Sequence, residues 1–439
     1  MEIDITTLRD LFIFSDGYNQ SVFDTLNYTH TDGGKVYLKW IYMHPLNSIE
    51  KIVDVQKGLQ HILANEEKWT NAITNGTIMV MEKFFETTIE RIPKYPNAIT
   101  SLKYQWLHSS DYGLIKYSLV HFVQFVQEFK KLAVVLLTNN ESTTLNNICN
   151  QVNTLLSEAQ TEQVLNFGIN HSSTTIKILR VTHFIQHHFK NKIKTLIELY
   201  YQLDAYYSMA VATKKNCFSF PNWLHTNQPI FKAEELYHPL LKKPVAYNID
   251  LQDPKPFLFL TGANMTGKST LIKAMGIIVF LAHLGMGIPA KAATLSLFDG
   301  VLSNIQVTDN VVNGESYFFN EVQRIKSTIL KISNQKSWLI LIDELFKGTN
   351  IQDAFQCSAT VINGLLKSSQ SLCILSTHLH EIANDLEQKE HIQFKYFETQ
   401  IKNNEFFFTY TLKEGISNDR LGFLILKKEG VVALLDKLN

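Results

Sequence analysis

Apolar positions change their spacing near residue 220. Before it, Gly and Pro are sparse. Leu114, Tyr117, Val120, Phe122, Val123, Phe125, Val126, Phe129, Leu132 and Leu136 recur at helical intervals. Phe184, Phe189, Ile193, Leu196, Leu199, Leu203 and Tyr207 predict a second long helix over 184–212. The polar stretches 138–143 and 166–175 read as connections. Residues 1–220 are therefore expected to be all-helical and elongated. After Phe220-Pro-Asn-Trp223, short apolar runs alternate with helical segments. Strands are expected at 257–261, 338–342 and 372–376, and helices at 268–287, 316–332 and 354–367. Continuous Leu/Ile strands spaced by helices predict a mainly parallel α/β sheet. Residues 391–401 and 406–412 alternate apolar and polar around 402–405, which predicts a hairpin on the sheet's edge. Two domains are expected, an all-α one at 1–225 and an α/β one at 226–439.

Composition adds limits. A chain of 439 residues has material for two or three domains. With 45% hydrophobic and 19% charged residues it is neither disordered nor fibrous. Lys+Arg equals Asp+Glu at 41 each, which argues against non-specific coating of nucleic acid but leaves a local basic surface open. Cys149, Cys217, Cys357 and Cys373 are scattered without a C-x-x-C, as expected of reduced thiols in a cytoplasmic protein. The start, Met-Glu-Ile-Asp-Ile, lacks a signal-peptide pattern. No apolar run reaches the ~18–20 residues that span a bilayer, so no membrane partner is expected.

The densest chemistry lies at 261–270, Thr-Gly-Ala-Asn-Met-Thr-Gly-Lys-Ser-Thr, after the strand-like run ending at Leu260. Gly262, Ala263, Asn264, Met265, Thr266, Gly267, Lys268, Ser269 and Thr270 fit a phosphate-binding loop between a strand and a helix. Gly262 and Gly267 allow the tight turn that brings N–H groups to phosphate oxygens. Lys268 supplies charge to the β- and γ-phosphates, and the Ser269 hydroxyl can ligate Mg²⁺. The following helix points its positive end at the same anion. ATP with Mg²⁺ is the expected ligand pair.

Trp338-Leu-Ile-Leu-Ile-Asp343-Glu344 reads as an apolar strand delivering two acids at its C-terminal end. Asp343 can hold Mg²⁺ through water, while Glu344 can orient and deprotonate an attacking water. His378, just past the strand 372–376, can hydrogen-bond a γ-phosphate. Ser316, in Gly314-Glu-Ser316, is either a plain N-cap or a group facing the γ-phosphate of a second subunit.

Together these elements resemble the MutS DNA mismatch-repair ATPases, with an ABC-type nucleotide-binding domain. The resemblance rests on Asn264-Met265 and on the order that follows. Ile288-Pro-Ala290 comes next, then Gly314-Glu-Ser-Tyr-Phe318 with Glu321. Asp343-Glu344 with Gly348-Thr349 and Thr377-His378 complete it. In the helical half, Leu26-Asn-Tyr-Thr-His-Thr31, Gly34, Trp40, Pro45-Leu46 and Leu203-Asp204 are similar to the family's lever, or core, domain. The resemblance implies a composite dimer site in which Ser316 reaches the partner's ATP. It also implies lever movement coupled to DNA, whether duplex, mismatched or branched, and a possible repair-protein partner.

Departures from the pattern shape this expectation. No counterpart is seen for the mismatch-reading wedge or the connector, so a shortened member is expected. Ala263 and Thr266 stand where the family usually has Pro and Gly. Phe346-Lys347 replaces a Gly-Arg pair, and Val245 stands where an aromatic often faces adenine. The expected function is a MutS-like ATPase in mismatch repair or a related DNA transaction. An ATPase switch on branched DNA or on a protein partner is the alternative. A transporter ATPase is allowed by the ABC-type elements but not by Gly314-Glu-Ser-Tyr-Phe, which is not the transporter signature.

Overall fold

Parallel strand pairing organises the part of the chain that carries the acids and the glycine-rich loop. The computed structural model describes residues 1–15, 17, 20–158, 161–168, 174–306, 317–378, 380–402, 405–417 and 430–435. The chain divides into two compact units. One holds Met1–Thr25, Pro45–Ile52 and Asn216–Asn439; the other holds Leu26–His44 and Val53–Lys215.

Among its described residues the first unit contains eleven strands in two sheets. They are β1 (Glu2–Ile3), β2 (Asn222–Leu224), β3 (Phe231–Leu236), β4 (Tyr247–Leu251), β5 (Phe257–Thr261), β6 (Ala292–Ser296), β7 (Gly300–Asn304), β8 (Trp338–Asp343), β9 (Ser371–Ser376), β10 (Ile392–Lys402) and β11 (Glu405–Glu414). The larger sheet runs β1-β7-β8-β9-β5-β10-β11. Every pairing in it is parallel except the β10/β11 hairpin at its edge. Strands β5, β8 and β9 are buried along their whole length, as continuous apolar runs require. The helices Lys268–His283, Tyr317–Ile332 and Ile351–Leu365 alternate with these strands. The first of them stops short of the expected residue 287. Leu284 caps it and Gly285 turns left-handed at φ 78°, which ends the hydrogen-bond ladder.

A second, mixed sheet of order β2-β6-β3-β4 was not expected. Its strands are short, and the Glu234-Glu235 pair in β3 breaks the alternation that would mark a strand.

The expected all-α character of residues 1–225 needs correcting at both ends. β1 pairs with β7 through Glu2↔Gly300 and Ile3↔Val301, and β2 lies at 222–224. Two- and three-residue strands carry no readable period. The units also differ from a single cut after residue 225, because Met1–Thr25 and Pro45–Ile52 join the α/β unit.

The second unit, among its described residues, is helical. Its core centres on the helix Ser109–Leu137, where Phe122, Phe125 and Phe129 are fully buried. Their rings meet Phe84 and Tyr200 at centroid distances of 5.4 to 6.1 Å. The long helix expected over 184–212 is Lys190–Lys215, preceded by a π-helical turn at Ile185–Phe189 and the helix Thr175–Phe184. The extra residue of a π turn lets Phe184, Ile185 and Phe189 all bury, which a uniform 3.6-residue period does not anticipate. Asp204, fully buried, accepts from His30 N at 2.9 Å, Thr31 N at 2.9 Å and Thr31 Oγ1. A Cβ on Gly34 would lie 2.1 Å from Asp204 Oδ2, so only glycine fits there.

Candidate functional site

The C-terminal ends of β5, β8 and β9 bring the predicted residues together. β5 ends in Thr261, and the chain turns at Gly262 with φ 130°, Met265 with φ 67° and Gly267 with φ 107°. Both glycines sit in the left-handed region that side chains avoid. Thr266 Oγ1 donates to Ala263 O at 2.8 Å and closes the loop. The helix Lys268–His283 starts directly after it.

Lys268 is buried, and its Nζ donates to the carbonyls of Gly262 and Ala263, both at 2.8 Å. Burial lowers its pKa to about 8, against the opposing charges of Glu344 and Asp343. The ammonium is thus held inside the loop on two carbonyls, and an anion in the loop would compete with them for it.

β8 and β9 align Asp343 with Ser376. Ser376 Oγ donates to Asp343 Oδ1, and Glu344 N donates to Ser376 O at 3.0 Å. Glu344 adopts φ 64° at the strand end. Its Oε1 lies 2.5 Å from His378 Nε2, and its Oε2 lies 3.3 Å from Lys347 Nζ. Burial acts to raise the Glu344 pKa, but His378 and Lys347 outweigh it and bring the carboxyl down to about 2.

A cavity of about 410 Å³ opens on this loop. Asn264, Met265, Gly267, Lys268, Ser269, Thr270 and Glu344 line it, together with His238, Lys243, Val245, Tyr247 and Tyr410. Tyr247 and Tyr410 flank the loop: a Cβ on Gly267 would lie 3.5 Å from the Tyr410 ring and 3.9 Å from the Tyr247 hydroxyl. Burial and the neighbouring Tyr410 push Tyr247 up to about 12, so it stays a neutral donor. Neither tyrosine stands out in sequence; Tyr410 comes from the distant hairpin and only folding brings it here. Asn304, at the end of β7, pairs with Ile342, next to Asp343. It is buried, and its side-chain amide has no hydrogen-bond partner among the described residues. That unmet polarity also went unread in the sequence. Ser316 lies outside the described residues, as do Gly314 and Glu315.

The residues present fit a triphosphate and a hard cation. The loop offers backbone turns and a lysine, while Ser269 and Asp343 supply oxygen donors of the kind Mg²⁺ takes alongside phosphate and water. Among the described residues no cluster of three or more His, Cys, Asp or Glu could hold a metal ion by itself.

Residues 258–434, from β5 to the last described helix, match MutS domain V. Over these residues the chain is similar to the MutS family. It is 27% identical over 234 residues to DNA mismatch repair protein spellchecker 1 of Drosophila melanogaster, covering 52% of this chain and 25% of that protein. It is 31% identical over 184 residues to DNA mismatch repair protein MutS 1 of Haloarcula marismortui, covering 41% and 20%. Over 254 residues it is 27% identical to DNA mismatch repair protein MutS of Petrotoga mobilis, covering 57% and 30%. The MutS-family match thus spans less than a third of the length of each of these relatives. The matched domain contains Gly262 through Thr270, Asp343, Glu344 and His378, so every described residue of the predicted site lies within it.

Proposed function

We propose that this MutS-like chain binds and hydrolyses ATP at the end of β5, β8 and β9. The observation that carries this reading is the meeting of Lys268, Ser269 and Glu344 around one cavity at a glycine-rich loop. The backbone N–H groups of 262–267 and Lys268 would hold the phosphates. Ser269 directly, and Asp343 through water, would hold Mg²⁺, which supplies charge neutralisation on the phosphates. Glu344 would orient and deprotonate the attacking water.

The ion pairs bear on that role. A carboxylate with a pKa near 2 is a weak base. A γ-phosphate would compete for His378 and Lys347. As they move to it, Glu344 loses their charge and becomes the stronger base. His378 would in this way report the presence of the γ-phosphate. Lys268 would likewise exchange the carbonyls of Gly262 and Ala263 for phosphate oxygens.

We further propose a dimer in which Ser316 completes the partner's site, and coupling of nucleotide state to DNA engagement in a cytoplasmic DNA transaction. The relatives' names as DNA mismatch repair proteins support the DNA part. No described helix is long and apolar enough to cross a membrane.

ATP turnover measured with matched duplex, mismatched duplex and a four-way junction, each at two salt concentrations, tests the reading. Stimulation by DNA supports it, and the preferred form names the substrate. Turnover indifferent to all three removes the DNA part. Unchanged ATP affinity in Lys268→Ala removes the site assignment itself.

A further inference from the structure

An N-terminal carboxylate is tied to the segment that carries Glu344. The short helix Ile5–Asp10 is capped by Asp4, which accepts from Thr7 N at 2.8 Å. Thr7 Oγ1 accepts from Ser303 N at 3.1 Å, which fixes the helix to β7. Asp10 then lies against the end of β7 with its side chain 1% exposed. Its Oδ2 accepts from Ser303 Oγ at 2.6 Å, Ile305 N at 3.1 Å and Arg324 Nη2 at 2.9 Å. Its Oδ1 accepts from Gln306 N at 3.3 Å. Arg324 also donates to Ser303 O at 2.8 Å and Gln306 O at 2.6 Å.

Arg324 belongs to the helix Tyr317–Ile332, and one turn earlier that helix carries Glu321. Glu321 is buried and accepts from Lys347 N at 3.3 Å and Gly348 N at 3.4 Å. The helix start presses on the same turn: a Cβ on Gly348 would lie 2.7 Å from the Tyr317 ring and 3.0 Å from Phe318 N. Lys347 in turn reaches Glu344. The N-terminal segment also touches the helix after the glycine-rich loop. Lys273 Nζ lies 4.4 Å from the centroid of the Phe12 ring, and a Cβ on Gly276 would lie 2.7 Å from Leu11.

Apolar residues can fill such a position at no loss of stability, whereas a buried ion pair with several fixed donors restricts geometry. We propose that Asp10 is a positioning residue for ATP turnover. It holds Arg324, which sets the helix Tyr317–Ile332 so that Glu321 fixes the 346–348 turn and with it Lys347 beside Glu344. The proposal rests on the reading of Glu344 as the residue that activates water.

The test uses the full chain with Asp10→Asn, Arg324→Gln and Arg324→Lys, beside Glu344→Gln as a control. Steady-state ATP turnover, ATP affinity, melting temperature and hydrogen exchange of the 344–350 segment are measured. Asp10→Asn and Arg324→Gln are expected to lower kcat by about tenfold or more, with KM and ATP affinity within about twofold. The Lys347 and Gly348 amides should exchange faster. Arg324→Lys keeps the charge without the planar fork and should recover part of kcat. Wild-type kcat in a folded Asp10→Asn or Arg324→Gln overturns the proposal, as does unchanged exchange at 347–348. If Asp10→Asn does not fold, Arg324→Gln decides, since that side chain is 20% exposed. Turnover by Glu344→Gln would overturn the site reading instead, and the exchange measurement would still judge the link from Asp10.

Discussion

Nε2 of His378 lies 2.5 Å from Oε1 of Glu344, each residue sitting just past the end of one of two adjacent parallel strands. The contact puts a titratable ring on the carboxylate proposed to handle the proton of water. It also explains why Glu344 stays ionised although it is largely buried.

Glu344→Gln keeps the shape of the site and removes the base. ATP affinity should stay within a few-fold, and single-turnover hydrolysis should fall by about 10²–10⁴. Rapid-quench measurement with excess enzyme gives the rate, and hydrolysis at the wild-type rate would assign water activation elsewhere.

The proposed nucleotide binding should depend on pH through Lys268. Its folded pKa of about 8 lies below the ordinary 10.5, so the folded chain binds fewer protons than the unfolded one between these values. Stability of the free protein should therefore rise as pH goes from 8 to 10.5, as the buried cation is relieved. An anion beside Lys268 favours its charged form. ATP binding at pH 8.5 should then take up protons, and much less at pH 6.5. Calorimetry in two buffers of different ionisation enthalpy measures this. Lys268→Met should abolish the uptake; uptake unchanged in that variant would mean the proton goes elsewhere.

Asp204 is the polar centre of the helical unit. Asp204→Ala leaves His30 N, Thr31 N and Thr31 Oγ1 without their acceptor. Loss of about 3 kcal/mol is expected. Chemical denaturation followed by helical circular dichroism would reveal it, and a change within about 0.5 kcal/mol would deny the network its role.

Gly300 is where β1 reaches the sheet. A Cβ there would lie 2.2 Å from the Trp338 ring and 2.8 Å from Glu2 O. Gly300→Ala must displace either a fully buried tryptophan or the edge strand, and should cost about 2 kcal/mol. A melting temperature equal to wild type would show that the edge adapts freely.

Local pattern was enough for the elements around the site. The mainly apolar runs expected as strands at 257–261, 338–342 and 372–376, separated by helices, all occur as buried strands. The alternation at 391–401 and 406–412 likewise placed a two-stranded edge. The π turn at Ile185–Phe189 was not legible, because a single inserted residue shifts phase without changing composition.

The sequence by itself determined the glycine-rich loop, the acid pair at the end of β8 and the histidine after β9, since each sits at a strand end within its own short motif. Which residues surround them was decided only by the tertiary structure. Tyr410 meets Gly267 through the return of a hairpin, and Asp10 meets Arg324 because β1 pairs with β7. Those contacts join positions far apart in the chain, where the deciding energy is burial and hydrogen bonding across elements. No local spacing encodes them.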